Sequence, residues 1–208
     1  MNTSQNTYQY PVMESFYTLQ GEGFHQGCAA WFIRLGGCDV GCVWCDVKES
    51  WDAEKFPRYT ADKISPPEEI PAGVHHIIAV VTGGEPLMHN CTELTRSLAA
   101  RGFSTHIETS GAYPVSGNWN WICVSPKKFK APLPEVLQQA HELKIVVYNK
   151  TDFAWAEQHA AQVAPGCKLY LQPEWSKKEE ITPLVTEYIK QHPQWALSAQ
   201  LHKYIQVP

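Results

Sequence analysis

The sequence predicts an α/β protein built on a largely parallel sheet, with a ligand site beyond the carboxyl ends of its strands. Three observations carry this. Short apolar runs alternate with amphipathic stretches, the pattern of right-handed βαβ units. Several runs are almost wholly apolar, as strands covered on both faces are. Chemically loaded motifs follow five of the runs at their carboxyl ends, where ligands bind in such folds.

In chain order, "AAWFIRL" (29–35), "HHIIAVVT" (75–82), "STHIE" (104–108), "WICVS" (121–125), "LKIVVY" (143–148), "CKLYLQ" (167–172) and "WALSAQ" (195–200) are expected strands. Each is short and rich in β-branched or aromatic residues. Helices are expected over 92–101, 135–142, 152–163 and 177–191. The last opens with "SKKE", which sets Ser176 and Glu179 at capping-box spacing. A sheet of this kind is open, or curled into a barrel or part of one. The stretch 48–73 is charged, carries prolines at 57, 66, 67 and 71, and lacks periodicity, so it reads as an insertion or lid. Residues 1–208 read as a single domain, since 208 residues are enough for one substantial core.

Composition narrows the function classes. No apolar run approaches the ~20 residues that span a bilayer, which argues against a membrane protein. The opening "MNTSQNTYQY" has no basic segment followed by an apolar one, so no secretory signal is visible and a cytoplasmic location is expected. A net charge of -4 argues against nucleic acid as a direct partner, which a basic face would hold. Seven cysteines, an odd number, suit thiols or metal ligands better than a disulfide framework. Cys28, Cys91, Cys123 and Cys167 stand singly and are expected to be buried small side chains.

The other three cysteines form one knuckle. "GGCDVGCVWCD" (36–46) places Cys38, Cys42 and Cys45 at C-x3-C-x2-C spacing. A structural zinc site is closed by four ligands, often from two separate knuckles. A fourth ligand from a remote His or Cys would keep zinc as an alternative. Three thiolates around a four-iron cluster leave one iron open to a small molecule, which a reaction requires and simple electron storage does not. Val40, Val43 and Trp44 would shield such a cluster and help tune its potential.

The loop after the first strand, the aromatic before the last cysteine and the "GGEP" (83–86) ending the next strand resemble the radical S-adenosylmethionine (SAM) superfamily. There a [4Fe-4S] cluster on three cysteines receives SAM at its fourth iron. Within it, "FYTLQGEG", "WFIRLGGC", "CDVGCVWCD", "VTGGEPL", "IETSG", "VSPK", "LQP" and "HKYI" are similar to the 7-carboxy-7-deazaguanine synthases, over essentially the whole chain from Tyr10. The fold implied is α/β, an abbreviated or modified (β/α) barrel, a partial TIM barrel of the radical SAM type. The activity implied is conversion of 6-carboxy-5,6,7,8-tetrahydropterin to 7-carboxy-7-deazaguanine with loss of ammonia, a ring contraction in queuosine and 7-deazapurine biosynthesis. SAM would be cleaved to a radical that takes hydrogen from C6 of the substrate, and would then be regenerated. A flavodoxin or ferredoxin-type reductant and a homodimer are implied partners.

The resemblance also assigns positions. Cys38, Cys42 and Cys45 would bind the cluster. Val43, Trp44, Cys45, Gly84, Ser125, Pro126, Lys127, Gln172, Pro173, Glu174 and Trp175 would line the SAM pocket, with the small glycines of "GGEP" admitting backbone carbonyls close to the SAM ammonium. Leu19, Gln20, Gly21, Arg34, Thr82 and the terminal carboxylate of Pro208 would hold the substrate, and Glu22 is a candidate partner for pterin N–H groups. Arg34 offers a fork matched to a carboxylate, with an ion pair at the strand end as the competing role. Glu108 and Lys127 carry the same ambiguity, and His202 and Lys203 compete with simple solvation.

One departure concerns magnesium. The family commonly has a Thr ligand where this chain has Val47, which cannot coordinate. Magnesium prefers oxygen ligands and keeps waters, so either Asp46, substrate oxygens and water hold it, or the metal dependence is weak or absent. Two rival functions are an activase for a glycyl-radical enzyme, opposed by "LQGEG" and "HKYI", and a ferredoxin-like electron carrier, which needs no open iron.

Overall fold

A computed structural model describes residues 8–43, 45, 47–71, 73–74 and 77–208. Residues 1–7 of the polar N-terminal segment, Trp44, Asp46 and the start of the run expected at 75–82 lie outside the described residues. Among the described residues nine strands form one sheet: β1 (Gln9–Leu19), β2 (Ala29–Leu35), β3 (Arg58–Thr60), β4 (Ile78–Gly83), β5 (Ser104–Thr109), β6 (Trp121–Val124), β7 (Glu142–Val147), β8 (Lys168–Pro173) and β9 (Trp195–Leu197). Their order is β3-β1-β2-β4-β5-β6-β7-β8-β9. From β2 onward every pairing is parallel, whereas β1 runs antiparallel to β2 and to β3.

The seven expected strands match β2 and β4 to β9. The strand at β1 was not read from the sequence, because "QYPVMESFYTL" mixes polar and apolar residues and carries a proline. Its register with β2 shifts between Val12 and Glu14, a bulge that breaks the alternation a strand would show. β3 is three residues long at the sheet's edge, too short to leave a periodic signal.

The helices are α1 (Thr92–Ala100), α2 (Pro134–Leu137), α3 (Thr151–Ala160), α4 (Lys178–Gln191) and α5 (Leu201–Ile205). The helix expected over 135–142 stops at a single turn, because the chain is already in the sheet at its end: His141 N–H donates to Ile122 O, and Glu142 begins β7. The capping box at Ser176 does not form. Ser176 donates its N–H and its hydroxyl to Glu174, and α4 starts without a side-chain cap.

Alternation along each strand divides the sheet into two faces. Trp31, Ile33 and Leu35 of β2 join Val81, Ile107, Val124, Leu143, Ile145 and Leu171 in the main core. Leu94 and Leu98 of α1 and Ile181 and Val185 of α4 cover them. Ala30, Ile78 and Val80 form a separate small cluster with Phe32. Arg34, next along that alternation from Phe32, lines a cavity with it. Of the four solitary cysteines, Cys91 and Cys123 are buried as expected, Cys167 is half-buried and Cys28 is exposed, since the turn after β1 carries it to the surface.

The edge strands β3 and β9 are not hydrogen-bonded to each other. Instead, the loop after β1 reaches β7 and the residues after β9. Gly23 N–H donates to Ser198 Oγ (3.0 Å), Phe24 N–H to Glu142 Oε2 (3.2 Å), and Leu201 N–H to Gly21 O (2.8 Å). The stretch 48–73 contributes short 3-10 turns and β3, and its backbone carbonyls at Ser50 and Trp51 accept from Gly37 and Cys38 N–H. No helix among the described residues is long and apolar enough to cross a membrane.

Candidate functional site

A cavity of about 460 Å³ opens beyond the carboxyl ends of the strands. It draws its walls from the loops after β1, β2, β4, β5, β6 and β8 and from the segment around α5. Cys38, Cys42 and Cys45 line it, together with Gly84, Ser125, Lys127, Gln172, Glu174 and Trp175. So do Leu19, Gln20, Gly21, Glu22, Arg34, Thr82 and Pro208. Residues spread from position 19 to position 208 therefore share one space.

Three expected positions do not line it. Pro126 and Pro173 each lie between two lining residues, and successive side chains of extended chain point to opposite sides. Val43 stands 67% exposed, so the shielding expected of it falls to Val40, which is 4% exposed and does line the cavity. Trp44 lies outside the described residues.

The cysteine loop is held by backbone and by its neighbours. Gly84 N–H donates to Leu35 O and Glu85 N–H to Gly37 O, both at 2.8 Å, which stitches the "GGEP" turn to the start of the loop. A Cβ on Gly84 would sit 2.2 Å from Gly37 O, and one on Gly83, at φ +110°, 2.5 Å from Leu35 O. Only glycine allows this approach. His89 bonds Gly36 O through Nε2 at 2.8 Å. Asp39 is clamped from outside, accepting from Tyr113 Oη (2.5 Å) and Lys130 Nζ (2.7 Å).

Glu85 is 2% exposed and spends its carboxylate inside the protein. It accepts from Leu87 N–H (3.0 Å), Thr109 Oγ1 (2.5 Å), Ser110 N–H (2.8 Å) and Ser110 Oγ. This fixes the end of β4 to the end of β5 and leaves the backbone carbonyls of the turn, rather than this side chain, for a ligand.

The thiols fit the group the spacing implies. Three sulfur donors converge on one cavity beside a glycine cradle with no room for a side chain, and apolar Val40 borders them. Burial pushes the Cys38 and Cys42 thiols above their ordinary range, with Lys127 pulling Cys42 back. Among the described residues no three His, Cys, Asp or Glu side chains are gathered at ligating distances.

The opposite wall is charged. Lys144, on β7, has a side chain 5% exposed and pairs with Glu22; its Nζ lies 3.7 Å from Glu108 Oε2. Gln200 Nε2 donates to Glu22 Oε1 and Gln20 Nε2 to Glu108 Oε1, both at 3.0 Å. Arg34 Nη1 pairs with Glu14 Oε1 at 2.9 Å across the β1–β2 register. The pairing leaves other guanidinium N–H groups free of that bond, so the ion pair and an anion contact are compatible. The glycines of "LQGEG" are close-packed: a Cβ on Gly21 would strike the His202 ring and one on Gly23, at φ +65°, the Glu142 carboxylate.

Sequence reasoning missed Lys144 and Gln200. A lysine inside the apolar "LKIVVY" was the available signal, because an unpaired buried ammonium is too costly to place in a strand. Gln200 left no such signal.

The chain as a whole is similar to known proteins. The chain is 54% identical over 198 residues to the 7-carboxy-7-deazaguanine synthase of Flavobacterium psychrophilum, covering 95% of this chain and 92% of that protein. It is 45% identical over 201 residues to that of Synechocystis, covering 97% and 95%. The chain belongs to the 7-carboxy-7-deazaguanine synthase family. It is thus an enzyme, and its nine-stranded mixed sheet has a solved counterpart in that family: the crystal structure of QueE from Escherichia coli matches with a TM-score of 0.79 and 34% identity, over 93% of this chain and 95% of that one. No family model matches the chain. Val47 lines the cavity without an oxygen donor.

Proposed function

We propose that this cavity converts 6-carboxy-5,6,7,8-tetrahydropterin to 7-carboxy-7-deazaguanine with release of ammonia. The observation that carries the reading is the union, in one space, of the three cysteines and glycine turn on one side with the Glu22, Glu108 and Arg34 wall on the other. Cys38, Cys42 and Cys45 would hold a [4Fe-4S] cluster; Gly84, Ser125, Lys127, Gln172, Glu174 and Trp175 would surround SAM. When bound, these groups would supply the one-electron chemistry that takes a hydrogen atom from a substrate carbon.

The chain's own residues do the positioning. Lys127 donates to Ser125 O and Oγ, both at 2.6 Å, which ties down the segment after β6. Arg34 presents N–H groups suited to the substrate carboxylate. The carboxylate oxygens of Glu22 and Glu108 are hydrogen-bond acceptors, and so suit the N–H edge of a pterin. Leu19, Gln20, Gly21, Thr82 and Pro208 complete that side, with Thr18 Oγ1 donating to Pro208 O at 3.3 Å. Phe16 and Phe32, stacked at 5.4 Å, help exclude water.

The finer architecture is a partial barrel of the radical SAM type: a single domain over 1–208, with 48–73 as an insertion supporting the cysteine loop. A homodimer, a flavodoxin or ferredoxin-type reductant and a cytoplasmic location complete the proposal. Magnesium finds no side-chain donor at Val47. Asp46, substrate oxygens and water are its remaining ligands, and activity indifferent to chelator and to added Mg2+ alike would remove it.

The test is anaerobic reconstitution followed by incubation with SAM, reductant and 6-carboxytetrahydropterin. Mass spectrometry should find 7-carboxy-7-deazaguanine with far less than one SAM consumed per product. SAM cleavage without product would sink the substrate assignment, and intact SAM the cofactor assignment.

A further inference from the structure

Lys144 is the one ionised side chain of β7 that faces the cavity, and two carboxylates from distant parts of the chain meet it there. Glu22 comes from the loop after β1 and Glu108 from the end of β5. Each carboxylate is held a second time by an amide, Glu22 by Gln200 and Glu108 by Gln20. A buried ion pair contributes little to stability compared with apolar packing of the same volume. One that forms the wall of a ligand cavity has another use.

We propose that Lys144 is a positioning residue for the substrate: its single ammonium, set between Glu22 and Glu108, holds both carboxylates turned toward the cavity, as paired acceptors for a donor-rich heterocyclic edge. This rests on the pterin reading above. One cation between two carboxylates leaves a net charge of -1, which complements N–H donors and disfavours a second anion there. The remaining groups near Lys144 do not substitute for it. Cys123 of β6 and Glu142 of β7 bring no positive charge, and Lys127 faces Cys42 and the Ser125 segment. His202 of α5 is held toward its neutral form by burial. Burial opposes ionisation of Glu22, yet the charge and hydrogen bond of Lys144, joined by Gln200 and His202, together hold the carboxyl below its usual range. Burial likewise opposes the Lys144 charge, and the surrounding groups, Glu108 and Glu22 foremost with Cys123 and Glu142, together outweigh that.

With Lys144 replaced by Met, two carboxylates share a dry site without a cation, and one of them takes up a proton as the pH falls. The experiment compares wild-type, Lys144→Arg, Lys144→Met and Lys144→Met/Glu108→Gln holoenzymes. Cluster absorbance and the SAM-induced change in the cluster's EPR spectrum report on the other side of the cavity. Lys144→Met should keep both, while KM for 6-carboxytetrahydropterin relative to wild type rises about tenfold or more, the size of one charge-assisted hydrogen bond. That ratio should grow from pH 8 toward pH 6. Lys144→Arg should restore much of the affinity. The double variant removes one of the two competing carboxylates but leaves Glu22 without its cation, so its KM should be raised and should vary with pH less steeply than that of Lys144→Met, and it serves where the single variant does not fold.

A purely structural role predicts lost cluster or lowered stability with an unchanged, pH-independent KM in whatever enzyme remains. That result, in either Met variant, overturns the proposal. If wild type itself gives no deazaguanine, the functional reading has failed instead.

Discussion

Replacing Glu85 by Gln changes one atom and leaves the shape of the side chain intact. In the wild type, Oε1 receives Leu87 N–H and the Thr109 hydroxyl, and Oε2 receives Ser110 N–H and the Ser110 hydroxyl. Either orientation of the amide sets an NH2 group against a backbone N–H, at Leu87 or at Ser110. The hydroxyls can rotate to accept; the backbone donors cannot. One buried backbone N–H is thereby orphaned, and the bonds that remain lose the help of a full negative charge. Hydrogen bonds to charged groups contribute about 1.5–3 kcal/mol each, and a buried donor left unmade costs a similar amount. A total near 3 kcal/mol lowers the melting temperature of a chain this size by about 6–12 °C. Differential scanning calorimetry of the anaerobic apoprotein, wild type against Glu85→Gln, reads this directly. Because the same carboxylate ties β4 to β5 beside the cysteine loop, iron content after reconstitution should fall as well. A melting temperature within about 2 °C of wild type with full iron content would refute the idea that this carboxylate organises the turn.

Gly84→Ala should lose cluster assembly, because its Cβ would meet the backbone oxygen of Gly37 at 2.2 Å and the Cys38 Cβ at 3.2 Å; iron analysis and visible absorbance check it, and wild-type iron content contradicts the close-approach argument. Alanine at Cys38, Cys42 or Cys45 should abolish SAM cleavage, while far-UV circular dichroism of the apoprotein stays as in wild type; residual turnover in any one of them would exclude it as a ligand. His106, 6% exposed, has its pKa lowered from 6.5 to about 3 by burial first and then by His25 and His141. The folded state thus favours neutral His106, and its stabilising effect, full above pH 6.5, is lost progressively as the pH falls toward 3. Urea unfolding of His106→Gln should therefore show a stability slope shallower by about 1.4 kcal/mol per pH unit between pH 6 and 4, and equal slopes would contradict it.

Much of the scaffold was legible because its signals are local. Parallel strands covered on both faces read as apolar runs, so β2 and β4 to β9 emerged from periodicity alone, as did α1, α3 and α4. The cysteine knuckle and the "GGEP" turn are defined by spacings of a few residues, and their positions at strand ends follow from the order of the runs. Antiparallel β1 was not legible, since its bulge and its polar residues hide the alternation, and α2 was cut short by sheet hydrogen bonds that no helix propensity reveals.

By itself, then, the sequence determined the α/β class and the order of the runs that sets the cysteine loop and the glycine turn at strand ends. The tertiary structure alone decided which face each flanking residue takes, excluding Val43, Pro126 and Pro173 from the cavity, and where the charges pair. Lys144 meets Glu22 across 122 positions of chain, and Glu85 meets Ser110 only because β4 and β5 are neighbours. Periodicity and spacing are properties of a dozen residues at a time. The partner of a buried charge is set by which strands lie side by side, and its cost when unpaired is what makes that arrangement specific.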